Sequence, residues 1–338
     1  MIDSLKWIIA KYVDTNNVKT EPAPFGLTNT TIFVAIHNEK FVVRKYDRYT
    51  KSIQSLALEM SVTSFLEDSP LSFEIPRFLP TLDGEAYVTL QDGTLGACVT
   101  YIKGTAPALL TLKDARSFGS VVGELAAKLG TYNKPRGLDF EGIPFTDFYG
   151  IHPLVNQAAV ESFWDCPPFP ITDAQKNAYD HALASVNKQL EQLKKLPQQL
   201  VHHDLLVFNL LAIDDNITGV LDFDFLAYDI AFLEFAISLN HVLQMSNGSL
   251  DMAAAFIDGY TTFRSFTTDE TQQLRTLTRL YHVAVLHIYM GQYVSGKDIG
   301  MPFTTILNQL IERDYWLDLN LDKLEPLFTC KKKGTHAG

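Results

Sequence analysis

Cysteine is scarce in this 338-residue sequence, which also lacks a surplus of positive charge and long apolar runs. Its three cysteines are scattered without a C-x-x-C pair, which favours reduced thiols in a cytoplasmic protein over a disulfide-linked secreted one. The 39 acidic and 28 basic residues give a formal net charge of −11, which argues against a protein built to bind nucleic acid. No run approaches the roughly 18 uncharged apolar residues of a spanning helix, so no membrane partner is expected.

The composition is typical of a well-packed globular protein, with 46% hydrophobic, 20% charged and 12% aromatic residues. The length favours two domains, each large enough to bury a core without metals or disulfides. The N-terminus resembles the start of an amphipathic helix and not a signal peptide. The oligomeric state stays open, with a homodimer among the options.

The first hundred residues read mainly as β-structure. Thr30 to Ile36 and Lys40 to Tyr46 are β-branched and aromatic runs separated by a short turn, which predicts a hairpin. Ser52 to Glu67 has apolar residues at helical spacing and predicts a helix. Further strand-like runs extend to Ile102, before a connector.

The rest of the chain reads mainly as helix. Short apolar runs near residues 200, 210–213 and 219–223 predict small strands within it. The predicted helices are Asp114–Leu129, Asp173–Leu196 with Thr172 as its cap, Tyr228–Asn240, Leu250–Phe263, Thr268–Val294 and Thr304–Leu319. We therefore predict an N-lobe over residues 1–103, a C-lobe over 104–330 and a disordered tail over 331–338. A ligand would lie between the lobes.

The strongest motif comprises residues 201–211 (VHHDLLVFNLL) and 219–224 (GVLDFD). Asp204, Asn209 and Asp222 are each embedded among apolar residues, and burying such groups is costly unless they bind something or each other. H-x-D, Asn five residues after the Asp, and a strand ending in D-F form the spacing of a phosphotransferase catalytic loop. One carboxylate would accept the proton of a substrate hydroxyl, while the Asn and the second carboxylate hold Mg²⁺ against the phosphates of ATP.

These segments resemble the aminoglycoside phosphotransferase/choline kinase superfamily, which has the protein-kinase-like fold. Residues 222–240 (DFDFLAYDIAFLEFAISLN), 256–260 (FIDGY) and 268–270 (TDE) are most similar to its type II homoserine kinase and hydroxylysine kinase branch. The resemblance spans about residue 20 to about residue 320. It implies an α+β bilobal fold, with an N-lobe of one antiparallel sheet plus one helix and a larger, mainly helical C-lobe.

The resemblance also implies roles in the C-lobe. Asp204 becomes the catalytic base, and Asn209 and Asp222 become metal ligands. Asp224 becomes either a ligand of a second metal ion or a residue that supports the metal ligands without contacting the metal. Candidate substrate contacts are His203, Asp224 and Asn240, with a satisfied buried amide as the other interpretation of Asn240.

In the N-lobe, the resemblance implies a nucleotide loop that includes Gly26, Thr28 and Asn29. Strand alternation places Arg44 and Lys45 on opposite faces, and the resemblance favours Arg44 as the phosphate-contacting cation, ion-paired with Glu59. The hinge over residues 99–103, which contains Tyr101 and Ile102, should present backbone groups to adenine.

The residues of the motif and its surroundings also allow other interpretations. His202 is expected to brace the catalytic loop, and Asp229 and Glu234 to be helix-end charges or loop braces. GVLDFDFL also resembles the D-x-D strand of haloacid-dehalogenase phosphatases, but the chain after it reads as helix instead of parallel sheet. A non-catalytic kinase-like binding or structural protein and a protein-serine kinase stay as alternatives. The absence of an A-P-E element after Asp222 favours a small acceptor over a protein.

The hypothesis from sequence is an ATP- and Mg²⁺-dependent kinase that phosphorylates a hydroxyl of a small molecule. The acceptor would be an amino alcohol, a homoserine-like hydroxy amino acid or an aminoglycoside-like compound. A cationic acceptor would suit an acidic cleft, which the net charge permits.

Overall fold

The structure, a computed structural model, describes residues 2–15, 18–23, 28–37 and 39–329. Its N-terminal region is one antiparallel sheet, as the α+β prediction expects, with two helices instead of the one that the resemblance implied. The strand order is β1-β2-β3-β6-β4, with β5 paired to β6. The elements of this region are α1 (Ile2–Tyr12), β1 (Lys19–Pro22), β2 (Thr30–Ile36), β3 (Glu39–Lys45), α2 (Ile53–Glu67), β4 (Phe78–Leu79), β5 (Val88–Thr89) and β6 (Leu95–Thr100).

The local sequence explains the hairpin and helix α2. In the β2–β3 hairpin, Thr31 lies opposite Arg44, which in turn lies opposite Ala97 of β6. Arg44 therefore occupies the centre of the sheet. Helix α2 begins with a capping box, because the Ser52 hydroxyl accepts the Ser55 N–H (3.1 Å) and the Ser55 hydroxyl accepts the Ser52 N–H (2.9 Å).

Helices dominate the C-terminal region, and small strand pairs lie among them. The strands are β7 (Gln198–Val201), β8 (Leu210–Ile213), β9 (Asn216–Val220) and β10 (Ala227–Ile230). The α-helices are α3 (Leu112–Leu129), α4 (Gln157–Asp165), α5 (Asp173–Leu193), α6 (Leu233–Met245), α7 (Leu250–Tyr260), α8 (Thr268–Gln272), α9 (Leu274–Val294) and α10 (Gly300–Thr329). Single 3₁₀ turns occur at Phe145–Asp147 and Val207–Asn209.

Several predicted bounds are wrong for physical reasons. Residues 227–230 are strand and not helix, because they pair antiparallel with β7. Strand β9 ends at Val220, and Asp222 just beyond it has φ +64°, which is incompatible with extended backbone. The predicted helix over 268–294 is two helices that meet at Gln273, and helix α10 extends to Thr329.

Glycines allow two helices of the C-lobe to approach each other closely. A Cβ built on Gly119 of α3 would overlap the Phe256 carbonyl oxygen of α7, and one on Gly259 of α7 would overlap the Arg116 carbonyl oxygen of α3. Helices α3 and α7 therefore pack backbone to backbone along this glycine seam (Gly119, Gly123 and Gly259). The main core extends from this contact to α6 and α9.

Within the described part of the chain, no helix is long and apolar enough to cross a membrane. The predicted tail, residues 331–338, lies outside the described residues.

Candidate active site

A cavity of about 1180 Å³ lies between the sheet and the helices. Residues from β2, β3 and β6 line its sheet end, and the catalytic loop after β7 and helices α6, α9 and α10 line the rest. Its volume is above the roughly 300–1,000 Å³ of typical single-ligand sites, so the cavity has room for two ligands side by side.

The catalytic loop is braced from below by buried side chains. The Glu234 carboxylate at the start of α6 accepts the backbone N–H groups of His202 (2.7 Å) and His203 (3.3 Å). His202 accepts the Asp204 N–H on Nδ1 (3.2 Å), and its Nε2–H donates to the Leu221 carbonyl (3.1 Å). Burial lowers the pKa of His202 to about 3, so the ring is neutral. The predicted bracing roles of His202 and Glu234 are confirmed.

Asp204 lies in the middle of the cavity and is held by Asn209. The Asn209 amide Nδ2 donates to both the carbonyl oxygen and the carboxylate Oδ2 of Asp204, each at 2.8 Å. The pKa of Asp204 is raised well above its usual range by burial first and then by the negative charge of Asp222. A carboxylate in this setting takes up a proton readily.

Asp222 and Asp224 stand at the border between the two lobes. Asp222 has the left-handed φ of +64°, uncommon for a residue other than glycine. Its Oδ1 makes no hydrogen bond and lies 3.6 Å from Arg44 Nη1. Burial would raise the pKa of Asp224, but Lys51 and Arg44 together lower it to about 2. Asp224 is therefore a fixed negative charge.

The Arg44–Glu59 pairing expected from sequence is present, with Arg44 Nη1 3.6 Å from Glu59 Oε1. Sequence reasoning missed a second buried cation, Lys51, whose side chain is 2% exposed. Lys51 Nζ bonds to Glu59 and lies 3.0 Å from Asp224 Oδ1. Its place just before the N-cap of α2 is typical of a surface lysine, and no sequence signal marks it as buried.

The nucleotide-loop residues predicted from sequence reach across to the C-lobe. Asn29 bonds to Asp224 and accepts the Asp47 N–H (2.9 Å). The Thr28 carbonyl accepts from Lys297 (3.1 Å), which also pairs with Asp47 (2.7 Å). Gly26, predicted for the same loop, lies outside the described residues.

Tyr101 and Ile102 line the same end of the cavity, together with Phe33 and Val42. The rings of Phe33 and Tyr101 meet edge to face at 5.7 Å. Backbone hydrogen bonds between Thr105 and Ala212 join the segment that follows to β8 (2.8 and 3.1 Å). This apolar wall beside the end of β6 is where the predicted hinge falls.

The candidate substrate contacts differ from expectation at two positions. Both His203 ring nitrogens are engaged by protein, Nδ1 with the Phe225 carbonyl (2.9 Å) and Nε2 with Asp229 (3.1 Å), and the ring stacks on Phe145. Both Asp224 oxygens are likewise engaged, by Asn29 and Lys51, so direct contact with metal or acceptor would require those bonds to break. Asn240, in contrast, lines the cavity with its Nδ2 unpartnered.

Three further cavity residues were missed. The negative charge of Asp204 adds to burial in raising the pKa of Tyr281, and in raising that of Tyr289 to about 12, which places both rings near the carboxylate. Tyr281, Val285, Tyr289 and Gln292 recur at helical spacing, a signal by which the cavity-lining face of α9 could have been found. Arg313 of α10 was also missed.

The carboxylates that line the described cavity are Asp204, Asp222 and Asp224. Arg44 and Arg313 supply positive charge to the same lining, so carboxylates outnumber cations there by one.

The residues present fit a Mg²⁺ ion held jointly with a nucleotide. The Oδ1 atom of Asp222 makes no hydrogen bond, and the Asn209 amide oxygen has none within the described residues. Mg²⁺ is usually held by one or two protein carboxylates plus substrate phosphates. In the described part of the chain, no group of three or more His, Cys, Asp or Glu residues forms a complete metal centre.

Comparison with known proteins places this geometry in a family. Residues 19–274 match the model of the APH phosphotransferase enzyme family, and the chain belongs to that family. It is similar to a homoserine kinase of Rhodopseudomonas palustris (strain BisA53), with 26% identity over 264 residues that cover 75% of this chain and 73% of the relative.

Solved structures show the same fold. The microcompartment-associated aminopropanol kinase superposes with a TM-score of 0.68 at 15% identity, covering 96% of this chain and 98% of the other. Amicoumacin kinase in complex with AMP-PNP, Ca²⁺ and Ami gives 0.69 at 13% identity, covering 97% and 95%. The predicted superfamily, branch and bilobal kinase-like fold are confirmed, and the chain is a small-molecule kinase.

Proposed function

We propose that the protein transfers the γ-phosphoryl group of ATP to a hydroxyl of a small hydroxy amino acid similar to homoserine. The observation that carries this proposal is the convergence of Asp204, Asn209, Asp222 and Arg44 on one interlobe cavity with room for two ligands. The similarity to homoserine kinases supports the choice of acceptor.

In this proposal the nucleotide occupies the end of the cavity lined by β2, β3 and β6. Adenine lies against the apolar wall beside Tyr101 and Ile102. Arg44, buried and held by Glu59, presents its charge to the phosphates. Because the guanidinium is already fixed by carboxylates, it needs little reorganisation when charge develops on the transferring group.

Asp204 aligns the acceptor hydroxyl and takes its proton. As the bond from the acceptor oxygen to the γ-phosphorus forms, the bond to the β–γ bridging oxygen breaks and ADP leaves. The proton passes to Asp204 and then to solvent. Asn209 fixes the Asp204 carboxylate through its 2.8 Å hydrogen bond, so the base is positioned before the acceptor arrives.

Mg²⁺ would be held by Asp222 and by the Asn209 amide oxygen. When bound, it would neutralise charge on the β- and γ-phosphates. Asp224, held by Lys51 and Asn29, supports the site from behind by fixing two N-lobe groups beside Asp222.

The test is ADP release over homoserine, hydroxylysine, 3-aminopropan-1-ol, choline and an aminoglycoside, with wild type and Asp204→Asn. We expect release with homoserine or hydroxylysine, and a loss of kcat of roughly a hundred- to ten-thousand-fold in the variant, the usual contribution of a general base. Binding of AMP-PNP should be retained, because Asp204 is not placed at the nucleotide.

Asp214→Asn is the matched control, since Asp214 is exposed in the turn between β8 and β9. Its activity should equal that of wild type. Undiminished ADP release in Asp204→Asn would overturn the mechanism. Tight AMP-PNP binding with no ADP release on any acceptor would instead favour a non-catalytic binding protein.

A further inference from the structure

The part of the cavity wall contributed by α10 contains a buried arginine that makes no ion pair. Arg313 is only 4% exposed and lines the cavity. Among the described residues, no carboxylate lies within ion-pair distance of its guanidinium and no hydrogen bond to it is formed. Burial lowers the pKa of Arg313 to about 10, although the negative charge of the neighbouring Glu312 acts in the other direction, so Arg313 is charged at neutral pH. A buried charge without a hydrogen-bonded partner is costly, which favours a ligand that completes it from the cavity.

Two neighbouring side chains also have unused polar atoms. Asn240 accepts from Thr278 on Oδ1 (3.5 Å), but its Nδ2 has no partner. His241, the next residue on α6, has an unpartnered Nε2. Both side chains are buried and both line the cavity. Buried polar atoms without partners are rare in proteins and call for an explanation.

Arg313 is close to His241 and His282. Burial, and in smaller part the charge of Arg313, lowers the pKa values of both histidines to about 4. Neither histidine is therefore protonated at neutral pH, and neither competes with Arg313 as a cation. Asn240 adjoins them, because it precedes His241 on α6 and bonds to Thr278, whose carbonyl accepts from His282 Nδ1 (2.7 Å).

We propose that Arg313 and the Asn240 amide form a subsite for a carboxylate of the acceptor. This inference rests on the proposed function and deepens it, because it names the residues that would bind the carboxylate of a hydroxy amino acid. A carboxylate accepts hydrogen bonds only, and it matches the planar guanidinium in a two-point contact. Hydroxy amino acids meet the requirement. Amino alcohols and polycationic aminoglycosides do not, because they would face an uncompensated Arg313.

The experiment uses acceptors that differ in one group. 3-Aminopropan-1-ol is homoserine without its carboxylate, and 2-aminobutyrate is homoserine without its hydroxyl. We expect wild type to favour homoserine over 3-aminopropan-1-ol by roughly ten- to a hundred-fold in kcat/KM, as for loss of a charged hydrogen bond. Arg313→Gln should reduce this preference at least ten-fold, because it raises the KM for homoserine and no longer leaves an uncompensated charge facing 3-aminopropan-1-ol. Arg313→Lys should restore part of it.

A binding measurement separates this proposal from the kinase proposal. 2-Aminobutyrate cannot be phosphorylated, so its affinity for the ADP-loaded enzyme, measured by calorimetry, tests the subsite without catalysis. We expect binding to wild type and to Asp204→Asn, and at least ten-fold weaker binding to Arg313→Gln. Arg116→Gln, a matched change at an exposed arginine of α3, should bind like wild type.

The outcomes differ for the two proposals. ADP release with equal efficiency on homoserine and 3-aminopropan-1-ol, unchanged in Arg313→Gln, would remove the subsite and leave the kinase intact. If 2-aminobutyrate binds wild type more tightly than Arg313→Gln but no acceptor causes ADP release, the subsite proposal is supported and the kinase proposal is wrong. Equal affinity of 2-aminobutyrate for wild type and Arg313→Gln would overturn the subsite.

Discussion

At the scale of single residues, the charges at the lobe border form one connected group. Lys51 and Arg44 stand between Glu59 on one side and the Asp222–Asp224 pair on the other. Burial would raise the pKa of Glu59, and despite the lowering effect of Lys51 it stays raised, at about 7. The two cations therefore share three carboxylates, and the loss of either leaves buried negative charge uncompensated.

Replacing Lys51 with Met should lower the free energy of unfolding by about 3 kcal/mol, because it removes one partner of a buried ion pair. The measurement is urea unfolding at pH 7.5. Lys45→Met is the matched control, since Lys45 lies on the other face of β3 and makes one 3.4 Å contact with Ser4. Equal destabilisation by the two variants would contradict the buried role of Lys51.

The sequence could predict part of this group and not the rest. Strand alternation, a local property of the chain, separated Arg44 from Lys45, and the family resemblance then favoured the pairing of Arg44 with Glu59. Lys51 lies in an irregular loop, so neither strand nor helix periodicity predicts the direction of its side chain. Its burial depends on contacts with Glu59 and with Asp224 of the other lobe. The same holds for Arg313, whose neighbours lie on helices distant in sequence.

At the scale of elements, the glycine seam between α3 and α7 fixes the spacing of two core helices. Glycine weakens an isolated helix by about 1 kcal/mol relative to alanine. Its presence on both facing surfaces is explained by backbone carbonyls at the positions that a Cβ would occupy. The two helices therefore lose helix propensity at these glycines and gain close packing.

Gly119→Ala should lower the free energy of unfolding by about 2 kcal/mol or more, because the overlap with the Phe256 carbonyl exceeds the gain in helix propensity. Thermal and urea unfolding provide the measurement. Gly300→Ala, at the start of α10, is the matched control, because its nearest neighbouring atom would be 3.6 Å away. A stabilised Gly119→Ala variant would show that the helices are free to separate.

The types of the secondary-structure elements were predicted correctly where hydrophobic pattern and periodicity agreed. They were predicted poorly where pairing with a distant strand determines the backbone conformation. The strand run at residues 30–36, the helix predicted over 52–67 and the Thr172 cap follow from local chemistry, and the structure has them. Strand β10 was assigned to a helix, because only its pairing with β7 makes residues 227–230 extended. Pairing between strands that are distant in sequence cannot be detected from a short segment of sequence.

At the scale of the whole molecule, the C-lobe keeps several histidines buried and neutral. Burial lowers the pKa values of His241, His282 and His287 to about 4, from an ordinary value of 6.5. Between these values the unfolded chain binds more protons than the folded protein. Their contribution to stability is therefore complete above pH 6.5 and is lost as the pH falls toward 4.

Each such histidine should lower the free energy of unfolding by about 1.4 kcal/mol for each pH unit below 6.5. Urea unfolding at pH 7.5, 6.0 and 5.0 measures the slope. His287→Gln should reduce this slope by the contribution of one histidine. His181→Gln, an exposed position on α5, should leave it unchanged. A slope that is the same in wild type and His287→Gln would contradict the assignment.

The two-lobe architecture followed from the sequence because it rests on composition that changes along the chain and on one motif of fixed spacing. The interior of the cavity did not, because its walls combine strands of one lobe with three helices of the other. In our proposal the choice of acceptor depends on Arg313 and Asn240, which no motif joins to the catalytic loop.

The backbone of His203, with φ +69°, has a consequence for the entropy of the catalytic loop. Glycine reaches such a conformation freely but leaves the chain many others. Here two side-chain hydrogen bonds and a stacked ring hold the left-handed form in place. The disorder of this segment is therefore lost when the chain folds, and not again each time a substrate enters.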